Sequence, residues 1–206
     1  MQENDLLMAE FIGAVIGDGN LWSKDKHYRV EITGDPILDK EYFENFLIPT
    51  TKQLFAVNPH VRVRQRGLRL RITSKDVYSL LTNDYKLPTG REKGMLVTIP
   101  KSILNNTSQT IACIRGIFDT DGSAFLANKG YRQDYPTIEI STTSEGLANQ
   151  IRDSLVSLGY RVGFRSWKRE IFRTKWVISV NGDSMFKKWM DEIGTSNPRH
   201  LVNSNL

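Results

Sequence analysis

The chain has 206 residues, of which 39% are hydrophobic and 25% charged, with a formal net charge of +5. This length suits one or two globular domains, and the composition excludes a disordered or fibrous chain. A single cysteine, Cys113, excludes an intramolecular disulfide framework, and no leader or run of about 18 apolar residues is present, so the expectation is a soluble intracellular protein, in cytoplasm, nucleoid or an organelle matrix, without a membrane partner.

Residues 5–17, DLLMAEFIGAVIG, predict a helix with Asp5 as N-cap, apolar residues recurring every three or four, and Gly19 as its stop. Gly13 and Gly17 share one face of that helix, although each glycine forfeits about 1 kcal/mol relative to alanine there. A second backbone approaching that face would offset the cost, so the spacing predicts a helical partner. Asp18 sits at the negative end of the helix dipole, where an acid is suited to holding a cation; the alternative is an Asp-Gly turn between a core helix and a strand.

NLWSKDKH and YRVEITG then predict a hairpin turning near Asp25-Lys26, with Val30 and Ile32 alternating against Arg29, Glu31 and Thr33. Residues 37–55 show helical spacing interrupted by Pro49. A second hairpin follows, in which Val61, Val63, Leu68, Leu70 and Ile72 alternate with Arg62, Arg64, Arg69 and Arg71 around Gln65-Arg66-Gly67. SKDVYSLLTN predicts a short capped helix, and the Pro- and Gly-bearing residues 86–110 a linker and approach to a second half.

IACIRGIFDTDGSAFL, residues 111–126, repeats the opening pattern with Gly116 and Thr120 as the small pair and Asp121-Gly122 as the ending. Asp18 and Asp121 are offset by 103 residues, while VEITGDP and IEISTTS match with Glu31 and Glu139 offset by 108, which indicates duplication. Helices at 107–121, 144–158 and 183–193 and strands near 123–129, 136–142, 160–168 and 171–180 complete a second αββαββα unit. The expectation is an α+β chain of two pseudo-symmetric halves, 1–95 and 111–206, joined by a linker at 96–110. Each half is an antiparallel four-stranded sheet with helices on one face.

Charge is concentrated in two stretches. VRVRQRGLRLR, 61–71, has five arginines and no acid, and RVGFRSWKREIFRTKW, 161–176, has six basic residues and one acid, leaving the rest of the chain net acidic. Five arginines on one hairpin repel one another without a polyanion, and a sheet ribbon fits the major groove of DNA; the alternative is a solvated face that discourages edge pairing. Trp22, Tyr28, Trp167 and Trp176 divide between packing and base contacts. His27, His60 and His200 have no paired ligand spacing, which argues against a zinc site.

With the paired helices ending in Asp18-Gly19 and Asp121-Gly122, the chain resembles the LAGLIDADG homing endonucleases in their single-chain, two-motif form, FIGAVIGDG and IRGIFDTDG matching the nine-residue motif. At the sixth motif position, where the family favours an acid, the first copy has Ile16 and the second Asp119. The resemblance implies that the motif helices pack at a pseudo-twofold axis, that Asp18 and Asp121 bind divalent metal with help from the carbonyls of Gly17 and Thr120, and that the sheets form a saddle on a long DNA site. Mg2+ is the expected ion, with Mn2+ able to substitute and Ca2+ supporting binding without cleavage. Lys93 in TGREKGML and Arg199 in SNPRHLV, offset by 106, are candidates for the catalytic basic groups, and Gly13, Gly17, Gly116 and Thr120 for the helix interface.

The expected DNA-facing residues in the first half are Asn20, Trp22, Lys24, Arg29, Glu31, Thr33, Arg62, Arg64, Arg66, Arg69 and Arg71. Those of the second half are Ser123, Glu139, Ser141, Arg165, Lys168, Arg173 and Lys175. Because Met1 and the ending NSNL lack the nucleophile and His-Asn pair of an intein, the resemblance implies a freestanding, intron-encoded monomer that cuts double-stranded DNA and promotes intron homing. The alternatives on this fold are an RNA-binding intron maturase and a DNA-binding regulator that has lost hydrolysis.

Overall fold

Two long helices, α1 (Gln2–Asp18) and α7 (Thr107–Asp121), pack against each other at the centre of a computed structural model that describes residues 2–90, 93–168 and 173–201. Glycine makes the close approach possible. A β-carbon on Gly13 would collide with the carbonyl oxygen of Cys113, and one on Gly17 with the Oγ1 of Thr120. The cost of glycine in a helix is thus offset by backbone-to-backbone packing. Phe11, Ile12, Val15, Ile114, Ile117 and Phe118 fill the remaining faces and are fully buried.

Each motif helix runs straight into a strand. Gly19 and Gly122 end the helices without a left-handed residue: Gly122 is extended, and a side chain at either position would strike the preceding helical turn at Val15 or Phe118. The stop that the sequence placed at Gly19 is therefore steric rather than a left-handed cap.

The first sheet has the order β1-β2-β4-β3, from β1 (Gly19–Lys24), β2 (His27–Gly34), β3 (His60–Arg64) and β4 (Gly67–Ile72), all antiparallel. The second repeats it as β5-β6-β8-β7, from β5 (Gly122–Ala127), β6 (Tyr135–Thr142), β7 (Val162–Trp167) and β8 (Lys175–Asn181). Both hairpins of the first half close through two residues of positive φ, Asp25-Lys26 and Gln65-Arg66, the twist that a two-residue hairpin requires. Gly67 is the first residue of β4, not part of the turn.

Two expectations change. Pro49 does not break its helix: α2 (Lys40–Tyr42) continues through a π turn (Phe43–Leu47) into α3 (Ile48–Phe55). The Ile48 N–H reaches back five residues to the Phe43 carbonyl, which widens the turn just ahead of the proline ring. The segment predicted as a linker is not a loose tether either. It holds two short helices, α5 (Lys93–Leu96) and α6 (Lys101–Leu104), and buries Val97, Ile99 and Ile103 in the core. The remaining helices are α4 (Lys75–Ser79, continued by a π turn to Asp84), α8 (Glu145–Ser157) and α9 (Asp183–Glu192). The side chains of Ser74 and Ser144 cap α4 and α8.

Candidate nuclease centre and nucleic-acid interface

The crossing of α1 and α7 brings Asp18 and Asp121 together at adjacent helix C-termini, where carbonyl dipoles already disfavour negative charge. Burial raises the pKa of Asp18, reinforced by Asp39 and opposed by Arg199 and Lys93. Asp121 is open to water on one side yet surrounded by protein on the others. That surrounding, with Asp18 beside it, raises its pKa to about 7 against the opposing charges of Lys93, Arg199 and Lys175.

Behind each carboxylate stands a basic side chain engaged with the helix that carries it. The buried Lys93 amine donates to the carbonyl oxygens of Val15 (2.7 Å), Ile16 (2.9 Å), Gly17 (3.3 Å) and Gly19 (2.5 Å). Arg199 does the same at the other helix, its Nη2 donating to the carbonyls of Asp119 (3.0 Å) and Thr120 (2.6 Å). Each cation thus satisfies carbonyls left over at a helix end and offsets the dipole. Desolvation lowers the Lys93 pKa to about 8, against the pull of Asp121 and Asp18.

The segments carrying these two residues are held crosswise. Residues 93–99 are held by the second half: Thr143 Oγ1 donates to Gly94 O (2.7 Å), Ser144 Oγ to Val97 O (2.7 Å), and the Gln150 amide pairs with Ile99. Residues 195–200 are held by the first half. Asp39, almost fully buried, pairs with Arg199 Nη1 (2.9 Å) and accepts from Asn197 Nδ2 (2.7 Å), while Ser196 Oγ donates to Glu10 (2.5 Å).

Asp119, the acid at the sixth motif position, does not join Asp18 and Asp121. It is buried and accepts from Thr195 Oγ1 and the Ser196 N–H, with burial raising its pKa to about 7. Ile16, its counterpart, lies in the core. His200, buried and 4.3 Å from the Phe118 ring, has its pKa lowered to about 4 by burial and by Arg199. Asp39, Glu10, Ser196 and Asn197 escaped the sequence reading because each acts through partners more than 150 positions away or in the opposite half, a distance no local period records.

Strand register places Asn20, Trp22 and Lys24 on one sheet face with Arg29, Glu31, Thr33, Arg62, Arg64, Arg69 and Arg71, opposite the core-facing Leu21, Val30, Ile32 and Leu70. Arg66 lies in the turn. Two of the arginines are not left to repel one another: Glu31 accepts from Arg69 Nη1 (3.1 Å) and from Arg71 Nε (3.0 Å) and Nη2 (2.8 Å). Arg29 stacks over Trp22 at 4.7 Å. Arg29, Arg62 and Arg69 each keep a buried Nε–H that meets no protein acceptor.

The second sheet is less basic on its face. Ser123, Glu139, Ser141, Arg165 and Lys175 share it, and Trp167 lies beneath both basic groups, 5.8 Å from Arg165 and 5.6 Å from Lys175. Lys168 and Arg173 flank the β7–β8 connection, so the basic stretch is concentrated toward a hairpin tip. Arg169, part of that stretch, lies outside the described residues.

The donor set fits a hard divalent ion shared with a phosphodiester. Among the described residues no group of three or more His, Cys, Asp or Glu is placed to hold a metal. Two carboxylates suit Mg2+, which takes one or two of them and completes its shell with phosphate oxygens and water. The carbonyls of Gly17 and Thr120 already face Lys93 and Arg199, which makes them weaker candidates than the carboxylates.

A LAGLIDADG-like domain model matches residues 108–194. Among curated proteins, a replication factor C small subunit from Thermococcus kodakarensis is 25% identical over 199 residues, and a DNA polymerase from Thermococcus hydrothermalis 24% over 151. The matched regions cover 94% and 73% of this chain but only 20% and 8% of those proteins. Among solved structures, the homing endonuclease I-DmoI superposes with a TM-score of 0.68 at 18% identity, covering 93% of this chain and 96% of the other. I-WcaI bound to its DNA recognition sequence gives 0.65 at 12%, over 97% and 85%. The N-terminal LAGLIDADG domain of WhiA gives 0.59 at 14%, over 93% and 84%. Among the described residues no helix is long and apolar enough to cross a membrane. Residues 108–194 thus match a LAGLIDADG-like domain, and the two pseudo-repeat halves have the fold of the homing endonucleases I-DmoI and I-WcaI.

Proposed function

We propose that the chain is a monomeric, metal-dependent, site-specific endonuclease that hydrolyses both strands of a long double-stranded DNA target and so promotes homing of the element encoding it. The observation that carries this reading is the convergence of Asp18 and Asp121 at paired helix ends between two polar sheet faces. Asp18 and Asp121 would hold Mg2+, or Mn2+ in its place, and the bound ion would supply charge neutralisation at the scissile phosphate and a more acidic water. The chain's own residues do the rest. The sheet faces bind and orient the duplex, with Arg62, Arg64, Arg66 and the loop residues Lys168 and Arg173 meeting phosphates. Lys93 and Arg199 fix the helix ends and keep positive charge behind both carboxylates. Residues 1–95 and 111–206 act as two half-site readers, with 96–110 as a packed connection.

A supercoiled plasmid carrying a target selected from a randomised library tests this. With magnesium the unsubstituted chain should linearise it, while Asp18→Asn and Asp121→Asn should bind normally in calcium and lose double-strand cleavage by orders of magnitude. Wild-type cutting of both strands by both variants would remove the two aspartates from the reaction. Binding without any cutting by the unsubstituted chain would favour a DNA-binding regulator.

A further inference from the structure

Glu31 is an acid on a face otherwise built from cations and neutral polar groups. It stands in β2 opposite Arg71 of β4 and Asn20 of β1, the second residue after Asp18. Its side chain is 7% exposed, and both oxygens are occupied by Arg69 and Arg71. The second half repeats the device: Glu139, opposite Ser123 and Ser179, accepts from Arg165 Nη2 at 2.6 Å. By contrast, among the described residues no acid lies within ion-pair distance of Arg62, Arg64 or Arg66.

Holding the strands together does not require these pairs. The backbone ladders and the buried Val30, Ile32, Leu70 and Ile72 already do so from the other face, and a desolvated ion pair is a poor source of net stability. What the carboxylate does change is how an arginine meets DNA. A free guanidinium binds whichever phosphate is nearest and contributes to affinity on any sequence. One neutralised by a fixed carboxylate contributes less of that charge, while its remaining N–H groups stay in a set plane, as bidentate reading of a guanine edge requires.

We infer that Glu31 and Glu139 are specificity-determining residues that turn Arg69, Arg71 and Arg165 from phosphate binders into fixed readers of base edges. The inference rests on the DNA-binding part of the reading above and is independent of cleavage. Neither glutamate touches DNA in this role; each acts through its arginines.

The isosteric variants Glu31→Gln and Glu139→Gln test it by equilibrium binding in calcium across a salt series. The probes are a duplex selected by the unsubstituted chain and a random-sequence duplex. Glu31→Gln should tighten binding to the random duplex, steepen its log-log salt dependence by about one, and cut discrimination between the two duplexes about tenfold. Glu139→Gln should act in the same direction but less, since Arg165 is 60% exposed. A purely structural pair would instead weaken binding to both duplexes alike, and that result, or unchanged discrimination in both variants, overturns the inference. If Glu31→Gln fails to fold, the exposed Glu139 pair decides. A parent chain with no salt-dependent duplex binding would sink the DNA reading itself, and with it the role given to the two glutamates.

Discussion

Gly116 of α7 rests directly on the carbonyl oxygen of Glu10 in α1, so closely that a β-carbon there would overlap that oxygen and lie 2.9 Å from the Ala14 nitrogen. Both obstacles are backbone, which cannot swing aside. Gly116→Leu, like Gly13→Leu, should therefore force the helices apart and cost about 3 kcal/mol or more by overpacking. Thermal and urea denaturation measure this, and a normal midpoint in either variant would remove that glycine from the interface.

The pH dependence of the metal-free chain follows from Asp119 and Asp121, whose pKa values rise from 3.8 to about 7, chiefly through burial. Between those values the folded state holds protons that the unfolded state has released, so stability should fall as pH rises from about 4 to 7. Magnesium at pH 7 should restore the part due to Asp121 but not the part due to Asp119, while Asp119→Asn should flatten the remainder. Melting temperatures across a pH series with and without magnesium check both; a metal-free profile flat over this range contradicts them.

Asp39 pairs across the halves with Arg199 and Asn197. Asp39→Ala would leave a half-buried guanidinium and a buried amide without their partner, at a cost of about 3 kcal/mol. It should also free residues 195–201, so limited proteolysis would cut that segment first. A stable, protease-resistant variant would mean that the crosswise hold is dispensable.

Arg62 and Arg64 lie on the outer strand of the first sheet and have no acidic partner among the described residues. Replacing both by alanine should weaken duplex binding and lower the salt slope by about 2. Equal slopes for parent and variant would take these residues off the phosphate path.

Much of this architecture was legible locally. The four-residue spacing of Gly13 with Gly17 and of Gly116 with Thr120 foretold two helices in backbone contact, and strict alternation around Val30, Ile32 and Leu70 foretold which sheet face is polar. What stayed hidden depends on pairing at a distance. Nothing near Pro49 announces a π turn that lets a helix pass it, and nothing in TGREKGML says that Lys93 will donate to carbonyls more than 70 positions earlier. Arg69 and Arg71, two of the five arginines of 61–71, seemed to lack a counter-ion because theirs, Glu31, comes from a different hairpin. Asp119 drew attention as a motif acid, yet its carboxyl serves the 195–196 backbone and hydroxyl groups.

The crosswise hold on residues 93–99 and 195–200 bears on how such chains can recombine. Each half carries a clasp and the other half carries its socket: Thr143, Ser144 and Gln150 receive the first clasp, and Glu10 and Asp39 receive the second. A chimera that exchanges one half for a relative's would keep a clasp without its matching socket, even if the glycine-lined helix crossing were perfectly compatible. Exchange of halves is therefore limited less by the sheet faces, which point outward, than by whether five side chains travel together with the loops they grip.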